Sequence, residues 1–236
     1  MKKILRFLAF FVFVIAVLVF PFNKASAQYG LYVGVFGGYT LGPVASWENH
    51  YSKLNWDYDL DIQATGIFGV KFGGFHPDIK YFSLEFEYSF LNPDVKRTVL
   101  ATAGTDYSAI EGDVKLHNFM FNVIFQYPEG RIHPYFGAGL GASYFDFSLT
   151  STSRIDDVIY SERGSSNDTV FAWQLLAGVN IDLTNNLSLD IGCRYFDTEY
   201  ADYKYYDDDD DDDYHYDGPF LDFRTFMVTL GLKFRF

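Results

Sequence analysis

The sequence predicts an all-β fold, an eight-stranded antiparallel transmembrane β-barrel with short periplasmic turns and four long extracellular loops. Three observations lead to this prediction. About eight segments alternate apolar residues with small or polar ones, no second run of about 18 apolar residues follows the N-terminal one, and the connections alternate between short and long.

The last segment, 226–236, shows the alternation most clearly. Its apolar residues occupy every second position: Phe226, Val228, Leu230, Leu232, Phe234 and Phe236. Thr229, Gly231, Lys233 and Arg235 lie between them. Side chains in a strand point alternately to opposite faces, so this segment has one apolar face and one small or basic face. In a transmembrane barrel the apolar face meets lipid and the basic face meets the lumen.

Seven earlier segments follow the same rule: 29–40, 62–75, 81–91, 114–127, 133–147, 169–182 and 187–199. Their alternation predicts that these charged residues point into the lumen: Lys71, Glu85, Glu87, Asp190, Arg194, Lys233 and Arg235. It predicts that these residues face lipid: Phe82, Phe86, Phe121, Phe125 and Leu230. A soluble lipocalin-like barrel would exchange the two faces and expose a continuous band of aromatic rings to water.

The connections provide an independent signal. Short turns are predicted at 76–80, 128–131 and 183–186, and long polar loops at 41–61, 92–113, 149–168 and 200–219. Outer-membrane barrels have short turns on the periplasmic side and long loops on the extracellular side. With an even number of strands, both chain ends are expected on the short-turn side.

The N-terminus predicts a secretory signal peptide, residues 1–27, which leaves a barrel domain at 28–236. Lys2, Lys3 and Arg6 precede the apolar run 7–22, and Ala25 and Ala27 form an A-x-A cleavage site. A retained membrane helix is the alternative, because the run is close to the length that spans a bilayer. The single cysteine, Cys193, excludes an internal disulfide, and the net charge of -13 argues against nucleic acid as a partner.

Three segments resemble strands of a known superfamily. The stretches 133–144 (HPYFGAGLGASY) and 32–39 (YVGVFGGY), with the closing segment, are similar to strands of the small bacterial outer-membrane β-barrels, which include OmpA, OmpX and OmpW. The resemblance implies the outer membrane of a two-membraned bacterium, contact with outer-membrane lipid and lipopolysaccharide, and recognition of the strand ending at Phe236 by the barrel-assembly machinery. The peptidoglycan-binding domain that follows the barrel in OmpA is not expected here.

The predicted lumen offers no catalytic constellation. No nucleophile lies at a fixed spacing from the inward carboxylates, and charges of both signs in a narrow interior are expected to pair with each other. The inward glycines 137, 139 and 141 leave space that Arg194 or Gln174 would fill, or that would form a thin water path. His117 is predicted to face lipid near the outer end of its strand. Barrels that act on lipid A place a Ser beside such a His, and Phe119 stands at that position here.

Other features lie in the predicted loops. Asp207 to Asp213 form an acidic run among tyrosines, which predicts a solvated segment with weak cation binding, because it lacks the spaced ligands and the turn glycine of a calcium loop. Trp47 and Trp56 are expected either on a binding face or in an interfacial girdle. Cys193 is expected to face lipid.

The expected function is not enzymatic, with no metal or cofactor. The first hypothesis is display of acidic, aromatic-rich surface loops for adhesion to an extracellular ligand or for envelope integrity. The alternative is a small-solute channel of the OmpW type, which a mostly apolar lumen would favour. Lipid-A modification is a distant third.

Overall fold

The structure is a computed structural model that describes residues 30–49, 56–76, 79–103, 106–155, 157–204 and 217–236. The proposed signal peptide and the acidic run lie outside these residues. The described chain forms twelve strands: β1 Gly30–Asn49, β2 Trp56–Asp61, β3 Gly66–His76, β4 Ile79–Leu91, β5 Asp94–Ala103, β6 Asp106–Gln126, β7 Ile132–Ile155, β8 Val158–Asp182, β9 Leu187–Thr198, β10 Ala201–Lys204, β11 Asp217–Leu221 and β12 Arg224–Arg235.

Eight of these strands close into an antiparallel barrel, as predicted. The order around the wall is β1, β3, β4, β6, β7, β8, β9 and β12, and β12 pairs with β1 to complete it. Closure leaves no unpaired edge within the barrel, which is the requirement for strands that cross a lipid bilayer. Within the described residues, no helix is long and apolar enough to cross a membrane.

The two faces of the wall have the predicted chemistry. Phe86, Phe125 and Leu230 expose 38%, 40% and 57% of their surface on the outside, in a band of many exposed apolar side chains. Six of the seven charged residues predicted to be inward are buried: Lys71, Glu85, Glu87, Asp190, Arg194 and Lys233. The seventh, Arg235, is partly exposed because it lies at the periplasmic mouth.

The four long connections differ from the prediction, because they contain strands. At the extracellular rim β4 ends at Leu91 and β9 at Thr198, but β6, β7 and β8 continue past this level for about ten residues, roughly 30 Å of extended chain. With β5 on the edge of β6, they form a four-stranded sheet, called here the extension sheet. The barrel already fixes the register of these strands, so continuing the hydrogen-bond ladder outweighs the polar composition that predicted loops.

A second, smaller sheet rises from the rim at β1. It contains β2, β1, β11 and β10, and it places the backbones of Trp47 and Trp56 beyond the barrel. A β-bridge between Ile62 and Val95 and a hydrogen bond from the Gln63 amide to the Asp94 carbonyl oxygen connect it to the extension sheet, and β10 lies beside β8. The extracellular end of the barrel therefore continues into paired strands.

The lipid-facing assignment predicts how a misplaced charge affects stability. Leu230→Arg, near the middle of β12, should lower the free energy of unfolding by about 2–4 kcal/mol, because it places a cation near the bilayer midplane. Phe226→Arg, four residues closer to the rim on the same face, should cost clearly less, since the penalty decreases towards the interface. Urea unfolding of the refolded barrel in lipid vesicles measures both variants, and equal costs would contradict the assignment.

Candidate functional site: the barrel interior and its extracellular rim

Six ionisable side chains form a buried layer across the middle of the lumen, called here the charged layer. It contains three bases and three acids: Lys71, Arg194, Lys233, Glu85, Glu87 and Asp190. They come from β3, β4, β9 and β12. Glu85 and Glu87 are two residues apart on β4, and Asp190 and Arg194 are four residues apart on β9, so within each strand the two point to the same face. Burial of so many charges is tolerated only when each is paired and hydrogen-bonded.

The first half of the layer is centred on Asp190. Its carboxylate pairs with Lys71 and lies 3.5 Å from Lys233 Nζ, and the hydroxyl of Tyr135 donates to it at 2.8 Å. Glu85 accepts a hydrogen bond of 2.8 Å from Tyr32 and lies 3.9 Å from Lys233. Lys233 thus lies between the two carboxylates, Lys71 pairs with Asp190, and each carboxylate accepts from one tyrosine hydroxyl, which agrees with the predicted pairing of opposite charges.

The second half is the ion pair of Arg194 with Glu87. The guanidinium carbon of Arg194 lies 4.6 Å from the centroid of the Phe36 ring, so the cation also stacks on an aromatic face. Glu87 Oε1 accepts from Arg194, and Gln174 Nε2 approaches the same oxygen at 3.5 Å. Glu87 Oε2 is buried without a hydrogen-bond partner among the described residues.

The inward glycines make room for this layer. A Cβ at Gly178 or Gly192 would lie 2.6 or 2.7 Å from the Tyr135 hydroxyl, so only glycine lets that ring reach Asp190. A Cβ at Gly139 would collide with Asn122 and would lie 3.1 Å from Gln174 Cγ. Of the two fillers expected at glycines 137, 139 and 141, Gln174 is confirmed, whereas Arg194 lies on Phe36 instead. Side chains, and not an open path, occupy the space beside Gly139.

The lumen on the extracellular side of the charged layer is mostly apolar, apart from the hydrogen-bonded side chains of Ser89, Asn118 and Ser143. The alternation of hydrophobicity in the sequence does not reveal this apolar half. These inward side chains are fully buried: Ile67, Leu91, Leu116, Met120, Phe145, Phe147, Phe196, Phe223 and Met227. In this half of several strands both faces are apolar, so the alternation of hydrophobicity that identifies a lumen disappears. The spacing of the residues does indicate it. Phe145 lies two residues after the inward Ser143, and Phe196 lies two residues after the inward Arg194, so both rings are expected to point into the lumen.

The periplasmic mouth is closed by a polar cluster around Asp182. Arg235 pairs with this carboxylate, the hydroxyl of Ser188 donates to it at 2.7 Å, and His133 Nε2 lies 3.0 Å from it. His133 Nδ1 lies 3.0 Å from the carbonyl oxygen of Tyr127. Both imidazole nitrogens therefore face acceptors. Because Ser188 donates to Asp182 and not to His133, the cluster lacks the hydrogen bond that activates a serine nucleophile.

The structure confirms the outward orientation of His117 and Cys193. Cys193 is exposed on the outer wall. The neighbours of His117 on β6, Leu116 and Asn118, are buried in the lumen, so His117 points outwards. Its Nδ1 lies 2.9 Å from the hydroxyl oxygen of Tyr88. Among the described residues, no group of three or more His, Cys, Asp or Glu side chains could hold a metal ion.

The buried pair of Arg194 and Glu87 predicts a non-additive effect on stability. Arg194→Met should cost about 3–5 kcal/mol, because it leaves the Glu87 carboxylate buried without its cation. The double variant Arg194→Met/Glu87→Leu should recover most of this loss, since both charges are removed together. Urea unfolding in vesicles measures the three free energies of the cycle.

An exposed ion pair provides the matched control. Arg154 and Asp157 pair at the tip of the β7–β8 hairpin, where their side chains are 37% and 78% exposed. Arg154→Ala should therefore cost less than about 1 kcal/mol. A double variant at 87 and 194 that stays as unstable as Arg194→Met would show that Arg194 stabilises mainly by packing on Phe36.

Comparison with known proteins agrees with this architecture. The family model described as outer membrane protein beta-barrel domain matches residues 9–234. The outer membrane protein OprG of Pseudomonas aeruginosa is 14% identical, with 90% of this chain and 98% of that chain covered and a TM-score of 0.52. Neisserial surface protein A is 15% identical, with 90% and 100% covered and a TM-score of 0.44.

A curated relative matches over a shorter segment. An uncharacterised protein of Brucella abortus is 41% identical over 68 residues, which are 28% of this chain and 24% of the relative. The chain thus spans about a quarter of the length of the curated relatives that it matches. The match to the family model covers nearly all of the sequence, and with the closed eight-stranded barrel it shows that this chain belongs to the outer membrane protein beta-barrel domain family and resides in the outer membrane of a Gram-negative bacterium.

Proposed function

We propose that the protein is a non-enzymatic surface-display barrel whose extension sheet binds an extracellular protein partner through the open edge of β8. The observation that carries this proposal is the pairing of β8. Its lower part pairs with β9 from Ala172 to Asp182, and its other side pairs with β7 along its whole length. From Val158 to Gly164, the side of β8 turned away from β7 has no ladder partner among the described residues.

An open strand edge presents backbone N–H and C=O groups that an extended peptide can pair with. The tip of this edge is also apolar: Val158, Ile159 and Tyr160 are 49%, 63% and 59% exposed. These consecutive residues point to both faces of the sheet, so neither face is buried at this height. Proteins usually protect such edges with charged side chains or proline. In the segment 158–164 the charged residues are Glu162 and Arg163, and the apolar tip at 158–160 has neither a charge nor a proline.

The strands beneath the open edge also favour this proposal. β7 and β8 are directly continuous with the barrel wall, and β6 and β5 extend the sheet on the other side. A binding edge on such a support loses less conformational entropy on binding than a flexible loop would. The acidic run Asp207 to Asp213 lies outside the described residues, and the proposal does not rest on it.

Shortening the hairpin tests the proposal. Thr150 and Arg163 are directly paired, so replacing residues 151–162 with Asn-Gly should rebuild a tight turn at that level and leave the barrel intact. Bacteria that carry the shortened protein should lose adhesion to epithelial cells and to one another, while heat-modifiability on gels shows that the barrel still folds.

A charge at the edge provides a finer test. Tyr160→Lys protects the open edge of β8, whereas Thr152→Lys adds the same charge to β7, which is flanked by β6 and β8. Only the first variant should reduce adhesion. Normal adhesion by both Tyr160→Lys and the shortened protein would reject the edge of β8 as the binding element.

The apolar extracellular half of the lumen favours a second candidate, a small-solute channel. Against this stands the charged layer, in which Arg194 and Phe36 fill the section below the apolar half. The parent protein in planar bilayers should therefore show no stable single-channel conductance. The triple variant Phe36→Ala/Glu87→Ala/Arg194→Ala should conduct and serves as the control for reconstitution. Steady conductance by the parent would favour the channel.

A further inference from the structure

We propose that a site on the outer wall at the extracellular rim binds a phosphate group of lipid A in the outer leaflet. This site, called here the rim site, consists of Lys115 and His117 on β6, Tyr88 and Phe90 on β4, and Tyr144 on β7. His117 and Lys115 contact the phosphate, and the three rings line the adjoining apolar surface. The site is separate from the edge of β8 and does not depend on the adhesive role.

The rim site lies where the outer wall changes from apolar to polar. Below His117 on the same face, Phe119 and Leu140 are exposed to lipid. Above it the outward positions are polar, with Lys115 opposite Asp146 on β7 and Asp146 opposite Asn167 on β8. This boundary is on the long-connection side of the barrel, so His117 lies at the level of the outer-leaflet headgroups.

His117 is held in one orientation by its neighbours. Its ring centroid lies 5.0 Å from that of Phe90 and 6.2 Å from those of Tyr88 and Tyr144. Its Nδ1 lies 2.9 Å from the Tyr88 hydroxyl. When this hydroxyl donates to Nδ1, the neutral imidazole carries its proton on Nε2. Nε2 has no partner among the described residues, so it is an N–H donor available to a ligand.

Lys115 supplies a positive charge two residues above His117, on the same face. Although Asp146 lies opposite Lys115 in the ladder, no ion pair joins the two side chains among the described contacts. At the upper border of the apolar band, the Nε2 donor of His117 and the ammonium group of Lys115 face the headgroup region, where hydrogen bonds to charged groups are less screened than in bulk water. The complementary group is an anion at the membrane surface, and a phosphate accepts hydrogen bonds from both an imidazole N–H and an ammonium group.

The adjoining rings favour a lipid over free phosphate as the occupant. Tyr88, Phe90 and Tyr144 surround His117, and Phe119, which contacts Tyr88, extends their apolar surface below it. An acyl chain can lie on this surface while its headgroup phosphate reaches the two donors. Lipid A combines phosphates with acyl chains in the leaflet that faces this rim, which is the reason for choosing it over a phospholipid of the inner leaflet.

The test uses the refolded full barrel in detergent, titrated with diphosphoryl lipid A and with its dephosphorylated form, with binding measured by native mass spectrometry. The parent should prefer the diphosphoryl form. Lys115→Ala should reduce this preference about fivefold, as expected for one cation near a headgroup. His117→Phe keeps the aromatic packing but removes the N–H donor, and it should also reduce the preference.

Arg224→Ala is the matched control. It removes a cation at the extracellular end of β12, where Arg224 pairs with Asp222, on a strand that pairs with β1 and β9 and not with the strands of the rim site. This variant should keep the parent's preference. The proposal is wrong if the parent binds both forms of lipid A equally, if Arg224→Ala has the same effect as Lys115→Ala, or if phosphatidylglycerol competes as well as lipid A does. Heat-modifiability confirms that each variant is folded.

Discussion

The antiparallel pairing of β1 with β12 is the contact on which the rest of the structure depends. It runs from Tyr32 opposite Arg235 to Leu41 opposite Phe226, and a further bond joins the amide of Phe236 to the carbonyl oxygen of Leu31. Lipid offers no hydrogen bonds to an open edge, so the sheet crosses the membrane only because this seam is complete. On the other side of β12, the Arg235 cluster with Asp182 and Ser188 joins the periplasmic end of this strand to β8 and β9.

Closure with eight strands leaves a narrow interior, and this explains the composition of the lumen. The inward rings of Tyr32, Phe36 and Tyr135 fit only because glycines face them on neighbouring strands. The charged layer then fills what remains, and its acids and bases neutralise one another. Filling the interior with paired charges costs more than an apolar core would, but it sets the inner and outer faces of each strand apart unambiguously.

The extracellular half of the structure is built differently, because above the rim the outer surface of the strands is no longer in contact with lipid. Above His117 the outer surface becomes polar, the interior becomes apolar, and β6, β7 and β8 continue as the extension sheet. Phe145, Phe147 and Leu149 carry the interior packing from the barrel into this sheet without interruption. The extension sheet thus shares one continuous apolar core with the barrel.

The sequence by itself determined the barrel. Strict alternation in segments such as 226–236 identifies strands, the alternation of short and long connections predicts their order, and the parity of Lys71, Glu85, Glu87, Asp190, Arg194 and Lys233 assigns them to the lumen. These features are local and repeat every two residues, so they can be read without knowledge of the partners. The outward positions of His117 and Cys193 followed from the same parity.

Only the tertiary structure decided how these residues meet. The pairing of Arg194 with Glu87, the position of Phe36 beneath the guanidinium and the contact of Tyr88 with His117 join residues that are far apart in the chain, and they depend on strand register across the wall. The extension sheet was missed for the same reason. Its Ser- and Thr-rich strands have a polar composition that is typical of loops, and they are extended because the barrel beneath them has already aligned their backbones.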